Sequence, residues 1–193
     1  MDPFELETSR LRLRQWRDDD LEPLYAMTSD PEVQAHFPSV QDRDKTRVML
    51  EKLHEVIDEK GWGFWAVELK AGRKFAGFCG IKEVNFDAPF VPAVEVGWRF
   101  GRDMWGHGYA TEAAKASVAF GFGELGLDEI VAFLLPGNRR SAAVCERIGM
   151  RRDESGDFDH PWFEAGQLSI NGQPLRRHAL YRLRADRTSS ASG

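Results

Sequence analysis

The chain has little of what marks secreted, membrane-spanning or redox-active proteins. It carries only two cysteines, Cys79 and Cys145, which lie far apart in apolar segments without the spacing of a zinc site or a redox pair. No apolar run approaches the roughly 18 residues of a membrane span, and the N-terminus lacks the basic-then-apolar layout of a signal peptide. We therefore expect reduced, buried thiols, no metal, no membrane partner and a cytoplasmic location.

Basic residues are outnumbered by acidic residues. Lysine and arginine number 26 against 31 aspartates and glutamates, which gives a formal net charge of -5. Because affinity for a phosphate backbone requires clustered basic residues, this balance argues against a general nucleic-acid binder. The 193 residues suit one domain whose core is large enough to need no disulfide. We assign residues 1–9 to an N-terminal extension, 10–184 to that domain and 185–193 to a disordered polar tail.

Apolar residues recur with the spacing of strands in several segments. Leu11 and Leu13 alternate with arginines, which is the period of a half-buried strand, and three later runs are rich in aromatic and β-branched residues. Strands are predicted at residues 10–14, 62–69, 74–84, 90–100, 130–135 and 180–183. The three aromatic runs predict an antiparallel meander, and in the third run Glu95, Gly97 and Arg99 share one face.

Other segments carry the spacing of amphipathic helices. Helices are predicted at residues 21–28, 49–60, 110–126 and 138–148, of which the second ends at Gly61 and the last is capped by Asn138. The segment 153–177 is rich in Asp, Gly, Pro and aromatic residues and has no clear period. It predicts a long loop that is functional or mobile.

Residues 105–113 stand between an apolar strand pattern and an alanine-rich helix pattern. Gly106 and Gly108 allow positive φ and a close backbone approach, so that successive N–H groups can converge on an anion. The first turn of the following helix adds unpaired N–H donors and a partial positive charge. The stretch predicts a cradle for the pyrophosphate of a nucleotide-containing cofactor; a plain strand-to-helix turn is the alternative.

Segments 94–98 and 105–113, with Asn138-x-x-Ser141 and Glu146-x-x-Gly149-Met150, resemble the GNAT N-acetyltransferases. Within them the chain is most similar to the RimJ/RimL-like branch of ribosomal-protein N-terminal acetyltransferases, over residues 10–183. The resemblance implies an α/β (α+β) fold with a mixed, mostly antiparallel twisted sheet of about seven strands, flanked by helices and splayed between the fourth and fifth strands. It also implies acetyl-CoA as cofactor, a primary amine as acceptor and a possible homodimer.

The resemblance assigns the cofactor-binding residues one by one. The backbone of Trp98, Arg99 and Phe100 would pair with the pantetheine amides, Asn138 would bind near the thioester and Ser141 would face the sulfur. The pyrophosphate would be held by Trp105, Gly106, His107, Gly108, Tyr109, Ala110 and Thr111. This chain departs from the family pattern in two places. Asp103 stands where the phosphate signature opens with Gln or Arg, and Cys145 stands where many members carry a proton-donating tyrosine.

An alkylammonium must lose a proton before it can attack a thioester. Glu95, on the polar face of its strand, is the first candidate base, and His160 is the rival because its ordinary pKa suits transfer near neutrality. Ser141 can donate a hydrogen bond to the leaving thiolate. The purely structural alternatives are that Glu95 and Arg99 form an exposed ion pair and that Asn138 only caps its helix.

Acceptor-binding residues are predicted from loop position and charge. Phe37, Phe86 and Phe90 lie in or beside loops and can line an acceptor pocket, while Asp157 and Asp159 favour a cationic acceptor. A protein N-terminus, a polyamine, an amino acid and an aminoglycoside all fit the same chemistry.

Two other functions compete with acetyl transfer. One is a non-catalytic acyl-CoA sensor, which would keep the phosphate cradle without the base. The other is a dinucleotide oxidoreductase, but Thr111 occupies the third-glycine position of that loop pattern, and an early βαβ unit is missing.

Overall fold

The computed structural model describes residues 3–186, so the predicted tail from residue 187 onward lies outside the described residues. The strands are β1 Leu6–Glu7, β2 Leu11–Arg14, β3 Phe64–Leu69, β4 Phe75–Glu83, β5 Val94–Phe100, β6 Glu129–Leu134, β7 Arg151–Asp159 and β8 Arg177–Arg184. The α-helices are α1 Leu21–Thr28, α2 Arg43–Lys60, α3 Tyr109–Gly123 and α4 Arg139–Arg147.

All the strands join one eight-stranded sheet in the order β1-β2-β3-β4-β5-β6-β8-β7. The β3-β4-β5 meander is antiparallel, as predicted, and β5 and β6 form a parallel pair joined through α3. The expected mixed, mostly antiparallel sheet is therefore confirmed, with one strand more than the expected seven. The extra strand is β1, which pairs Leu6 with Leu13 of β2 and is too short to leave a period in the sequence. Without it, β5 and β6 are the fourth and fifth strands.

The prediction of an unbroken loop over residues 153–177 is wrong in its first part. Arg151–Asp159 forms β7, an edge strand that pairs with β8 across an irregularity between Asp153 and Phe158. Phe158 is the one buried hydrophobic residue of the strand, and most of its other side chains are charged. Because an edge strand with a bulge and charged side chains lacks the alternation of a half-buried strand, its sequence carries no period.

The sheet is covered on both faces. Cys79 of β4 contacts Ser117 of α3, with Sγ and Oγ 3.7 Å apart, so α3 packs on the face that also carries Ile81 and Trp98. The opposite face, with Phe78 and Arg99, is covered by the α1–α2 connection. Both cysteines are free and buried, as expected. No helix between residues 3 and 186 is long and apolar enough to cross a membrane.

The close approach of β3 to β4 requires glycine at position 80. A Cβ at Gly80 would lie 1.9 Å from the carbonyl oxygen of Gly63, whereas a Cβ at Gly123 would meet nothing within 4 Å. We therefore expect Gly80→Ala to lower the free energy of unfolding by about 2 to 3 kcal/mol, and Gly123→Ala, at the end of a helix, to lower it not at all. Urea denaturation of both variants measures the difference, and equal midpoints would contradict the packing described.

Candidate active site

The site begins where β5 and β6 part. Their only register pair is Glu95 with Val131, while on its other edge β5 pairs with β4 along its whole length. The β5 edge from Val96 to Phe100 therefore faces a cleft of about 1740 Å³, lined by the ends of both strands, residues 105–112, α4 and residues 160–163. Backbone N–H and C=O groups on such an edge can pair with an extended ligand that carries amides.

The glycine loop, residues 105–108, lies at one end of this cleft. Gly106 and Gly108 both have φ of +79°, and a Cβ at Gly106 would meet no atom within 4 Å. The backbone conformation, rather than space, requires glycine there. Gly108 is the N-cap of α3 and provides no side-chain cap, so the first N–H groups of the helix are left for a ligand. This arrangement fits the pyrophosphate of coenzyme A.

The outer side of the glycine loop is held by the N-terminal part of the chain. Arg10 donates from Nη1 to the carbonyl oxygen of His107 at 3.0 Å, and its guanidinium lies 4.7 Å from the centre of the Tyr109 ring. Glu112, in the first turn of α3, accepts from Nε of Arg10 at 2.7 Å and from Oγ1 of Thr8 at 2.6 Å. These contacts fix the position of the cradle against the N-terminal part of the chain.

The two departures from the family pattern lie away from the cleft. Asp103 forms an ion pair with Lys74, with Oδ2 and Nζ 2.6 Å apart, and both side chains are exposed. Cys145 is fully buried in the core, and burial raises the pKa of its thiol to about 12. Neither side chain lines the cleft, so a phosphate in the cradle would be bound without Asp103, by backbone N–H groups, and Cys145 is a poor proton donor.

Asn138 and Ser141 line the cleft on the α4 side. Oδ1 of Asn138 accepts from the backbone N–H of Ser141 at 3.2 Å, so Asn138 caps α4 as predicted. Within residues 3–186, Nδ2 of Asn138 and Oγ of Ser141 make no hydrogen bond. The cap therefore occupies one end of the Asn138 amide and leaves the other end for a ligand.

Glu95 is buried at the point where the two strands part. Burial raises the pKa of its carboxyl, and the charge of Lys82 opposes that rise. Lys82 is its direct partner across the β4–β5 pair, with Nζ 3.1 Å from Oε1. The exposed pair of Glu95 with Arg99, considered from the sequence, is not formed.

His160 lines the cleft within an aromatic group that includes Phe86, whose ring centre lies 4.4 Å away. Its Nδ1 accepts from the backbone N–H of Trp162 at 3.3 Å, which places the proton of the neutral ring on Nε2. Burial, and then the charges of His178 and Lys82, lower the pKa of His160 to about 4. The ring is thus a hydrogen-bond donor to the cleft more readily than a base.

His178 and Lys82 are cleft residues that the sequence did not single out. His178 has the opposite tautomer to His160, because its Nδ1 donates to the carbonyl oxygen of Arg176 at 3.3 Å and leaves a lone pair on Nε2. Burial lowers its pKa. Lys82 could be recognised from the sequence only if the register of β4 against β5 were known. The connection between those strands is irregular in length and conformation, so the sequence does not give that register.

The predicted acceptor residues divide into two groups. Phe37 and Phe86 line the cleft, whereas Phe90 packs beside it against Phe158 at 4.9 Å between ring centres. Asp157 is bound by Arg152 at 2.5 Å, and Asp159 by Arg176 and Arg177 at 2.9 and 3.4 Å. Since neither aspartate lines the cleft, neither can bind an ammonium group within it.

A parallel strand pair that separates beside a glycine-capped helix places a free amide-pairing edge next to an anion cradle, which suits a ligand that carries both amides and phosphates. Residues 10–151 match the family model for the acetyltransferase (GNAT) domain, and the chain belongs to that family. Acetyl-CoA use and the GNAT fold, expected from the sequence, are thereby confirmed.

The chain is also similar to individual proteins of known sequence or structure. The chain is 36% identical to YkkB of Bacillus subtilis over 148 residues, which are 75% of this chain and 84% of YkkB. A GNAT acetyltransferase from Bacillus anthracis superposes with a TM-score of 0.75 at 26% identity, covering 94% of this chain and 98% of that one. The fold is also that of RimL, the ribosomal L7/L12 α-N-protein acetyltransferase in complex with coenzyme A, at a TM-score of 0.71, 14% identity and coverage of 95% and 99%.

The free end of the Asn138 amide can be tested apart from its capping role. Aspartate caps a helix as well as asparagine does, but Asn138→Asp replaces the Nδ2 donor with a carboxylate oxygen. We expect this variant to weaken coenzyme A binding about tenfold with the melting temperature unchanged, while Asn138→Ala loses affinity and about 1 kcal/mol of stability. Calorimetric titration with coenzyme A measures the affinity, and wild-type binding by Asn138→Asp would restrict Asn138 to capping.

Proposed function

We propose that this acetyltransferase moves acetyl from acetyl-CoA to the nitrogen of a primary amine by direct attack on the thioester. The observation that carries the proposal is the buried carboxylate of Glu95 at the point where β5 and β6 separate. A base fixed there meets an acceptor at the inner end of the cleft, away from the phosphate cradle.

The cleft residues divide the chemistry between them. Acetyl-CoA supplies an activated acetyl group as its thioester. Glu95 takes a proton from the acceptor ammonium, directly or through water; burial raises the pKa of Glu95, and the charge of Lys82 opposes that rise. Ser141 donates a hydrogen bond to the leaving sulfur. His160, with its Nε2–H, orients the acceptor from the aromatic side of the cleft.

The position within the family is also part of the proposal. The motif order from Glu95 through the glycine loop to Asn138 and Ser141 supports the RimJ/RimL-like branch, and the fold of RimL agrees with it. The ribosomal protein named as the substrate of RimL is not assigned to this chain, because a likeness at 14% identity shows a shared fold and not a shared acceptor.

The proposal is tested by the release of free thiol from acetyl-CoA in the presence of mixed primary amines. Wild-type protein is expected to release thiol only when an amine is present, and Glu95→Gln to lower kcat/KM at least about 100-fold with unchanged coenzyme A affinity. Glu83→Gln, at an exposed carboxylate of β4, is the matched control. Full turnover by Glu95→Gln would remove Glu95 from the mechanism and make His178 the next base to test. Binding of coenzyme A without thiol release would identify a sensor.

The role of Lys82 predicts a shift in pH dependence. Because the charge of Lys82 lowers the pKa of Glu95, Lys82→Met should raise that pKa and move the acid limb of kcat/KM to higher pH. Activity should return at alkaline pH, unlike that of Glu95→Gln. Lys74→Met, at an exposed lysine outside the cleft, controls for loss of charge alone. An acid limb that does not move would show that Glu95 does not set it.

A further inference from the structure

Arg99 is a cation without an anion. Its guanidinium carbon lies 3.9 Å from the centre of the Phe37 ring and 5.4 Å from that of Phe78. Within residues 3–186, no carboxylate pairs with it and no hydrogen bond engages its nitrogens. Burial lowers the pKa of Arg99 to about 10, so the group still carries its charge at neutral pH. Arg99 is half-buried, and a partly desolvated charge without an ionic partner is costly to the fold.

The unpaired nitrogens open on the cleft. Among the described residues, the one fully enclosed side-chain nitrogen or oxygen that lacks a hydrogen bond is Oε1 of Gln34. The nitrogens of Arg99 are therefore not sealed in the core, and Arg99 lines the cleft. A ligand in the cleft can reach them, and a planar guanidinium is suited to bidentate binding of a carboxylate.

The side chain of Arg99 faces away from the helix that begins at the phosphate cradle. On β4, Cys79 faces α3, whereas Phe78, the direct partner of Arg99, faces the other side of the sheet. Glu95, Gly97 and Arg99 thus share the face under the α1–α2 connection. The backbone of Arg99 borders the cofactor edge, while its charge lies on the same face as the candidate base.

Two connections that line this region of the cleft are hydrogen-bonded to each other. The N–H of Ile170 donates to the carbonyl oxygen of Phe37 at 2.9 Å, and the N–H of Asn171 donates to that of Ala35 at 3.1 Å. These bonds tie the β7–β8 connection to the α1–α2 connection that carries Phe37. These two bonds hold Phe37, and with it the ring that stacks on Arg99, in a fixed place beside the cleft.

We infer that Arg99 binds a carboxylate on the acceptor, and that the acceptor is a small amine that also carries a carboxylate, such as an amino acid. The amine lies toward Glu95 and the carboxylate toward Arg99, two residues whose Cα atoms are about 13 Å apart along β5. Gly97, between them, adds no side chain to that space. The inference rests on the proposed amine acetyl transfer and narrows its acceptor.

The first experiment compares acids with their amides. Initial rates are measured with 6-aminohexanoate, γ-aminobutyrate and the free amino acids, each against the matching amide, which keeps the shape and removes the charge. We expect kcat/KM at least about tenfold higher for the acid in the preferred pair. Equal rates for acid and amide throughout would overturn the inference and leave amine acetylation standing.

The second experiment tests whether Arg99 causes the preference for acids over amides. Arg99→Met keeps an unbranched chain as far as the position of Nε, removes the charged guanidinium, and is expected to raise KM for the preferred acid at least about tenfold, with Arg99→Lys intermediate. The affinity for coenzyme A, measured by calorimetry, should change far less. Arg184→Met, at an exposed arginine paired with Glu129, is the matched control. A loss confined to coenzyme A binding, or equal losses for acid and amide, would overturn the inference.

Binding to the coenzyme A-saturated protein separates this inference from the proposed function. If no amine releases thiol but 6-aminohexanoate or another acid binds the wild type and not Arg99→Met, the carboxylate site stands and the transfer proposal falls. If amides and plain amines are acetylated as well as acids, the transfer proposal stands and the carboxylate site falls.

Discussion

The separation of β5 from β6 is the constraint on which the site depends. A parallel pair requires a crossover, here α3, and the two strands hold together at the single pair of Glu95 with Val131. Because α3 begins soon after β5 ends, the uncapped N–H groups of its first turn lie beside the free edge of that strand. One topological feature therefore supplies an anion cradle, an unpaired ladder edge and a buried carboxylate in a single cleft.

The alternation of side chains along β5 gives the strand two functions. Val96 and Trp98 point toward α3, while Glu95 and Arg99 point toward the α1–α2 connection. The backbone edge between these faces is free for amide pairing with the cofactor. The side chains that we propose to act on the acceptor thus lie on a different face from the edge that we propose for coenzyme A, so acceptor choice could vary without change to that backbone.

The sequence predicts those parts of the structure that local patterns determine. The helix end at Gly61, the antiparallel meander and the positive φ of Gly106 and Gly108 follow from residue type and spacing, and the structure has them. Partnerships across the sheet depend on register and on connections of irregular length. The pairing of Glu95 with Lys82 therefore cannot be predicted from the sequence.

Net charge is a poor guide to the acceptor because the cleft has its own balance. The chain is acidic overall, with a formal net charge of -5. Asp157 and Asp159 nevertheless form ion pairs with arginines, Asp157 with Arg152 and Asp159 with Arg176 and Arg177. The carboxylates that line the cleft include Glu95 and Glu112, which already pair with Lys82 and Arg10. Against these stands Arg99, half-buried and without an ionic partner among residues 3–186. In the role that we propose for Arg99, an acceptor would meet a positive charge beyond the base, which would favour a carboxylate over a second ammonium.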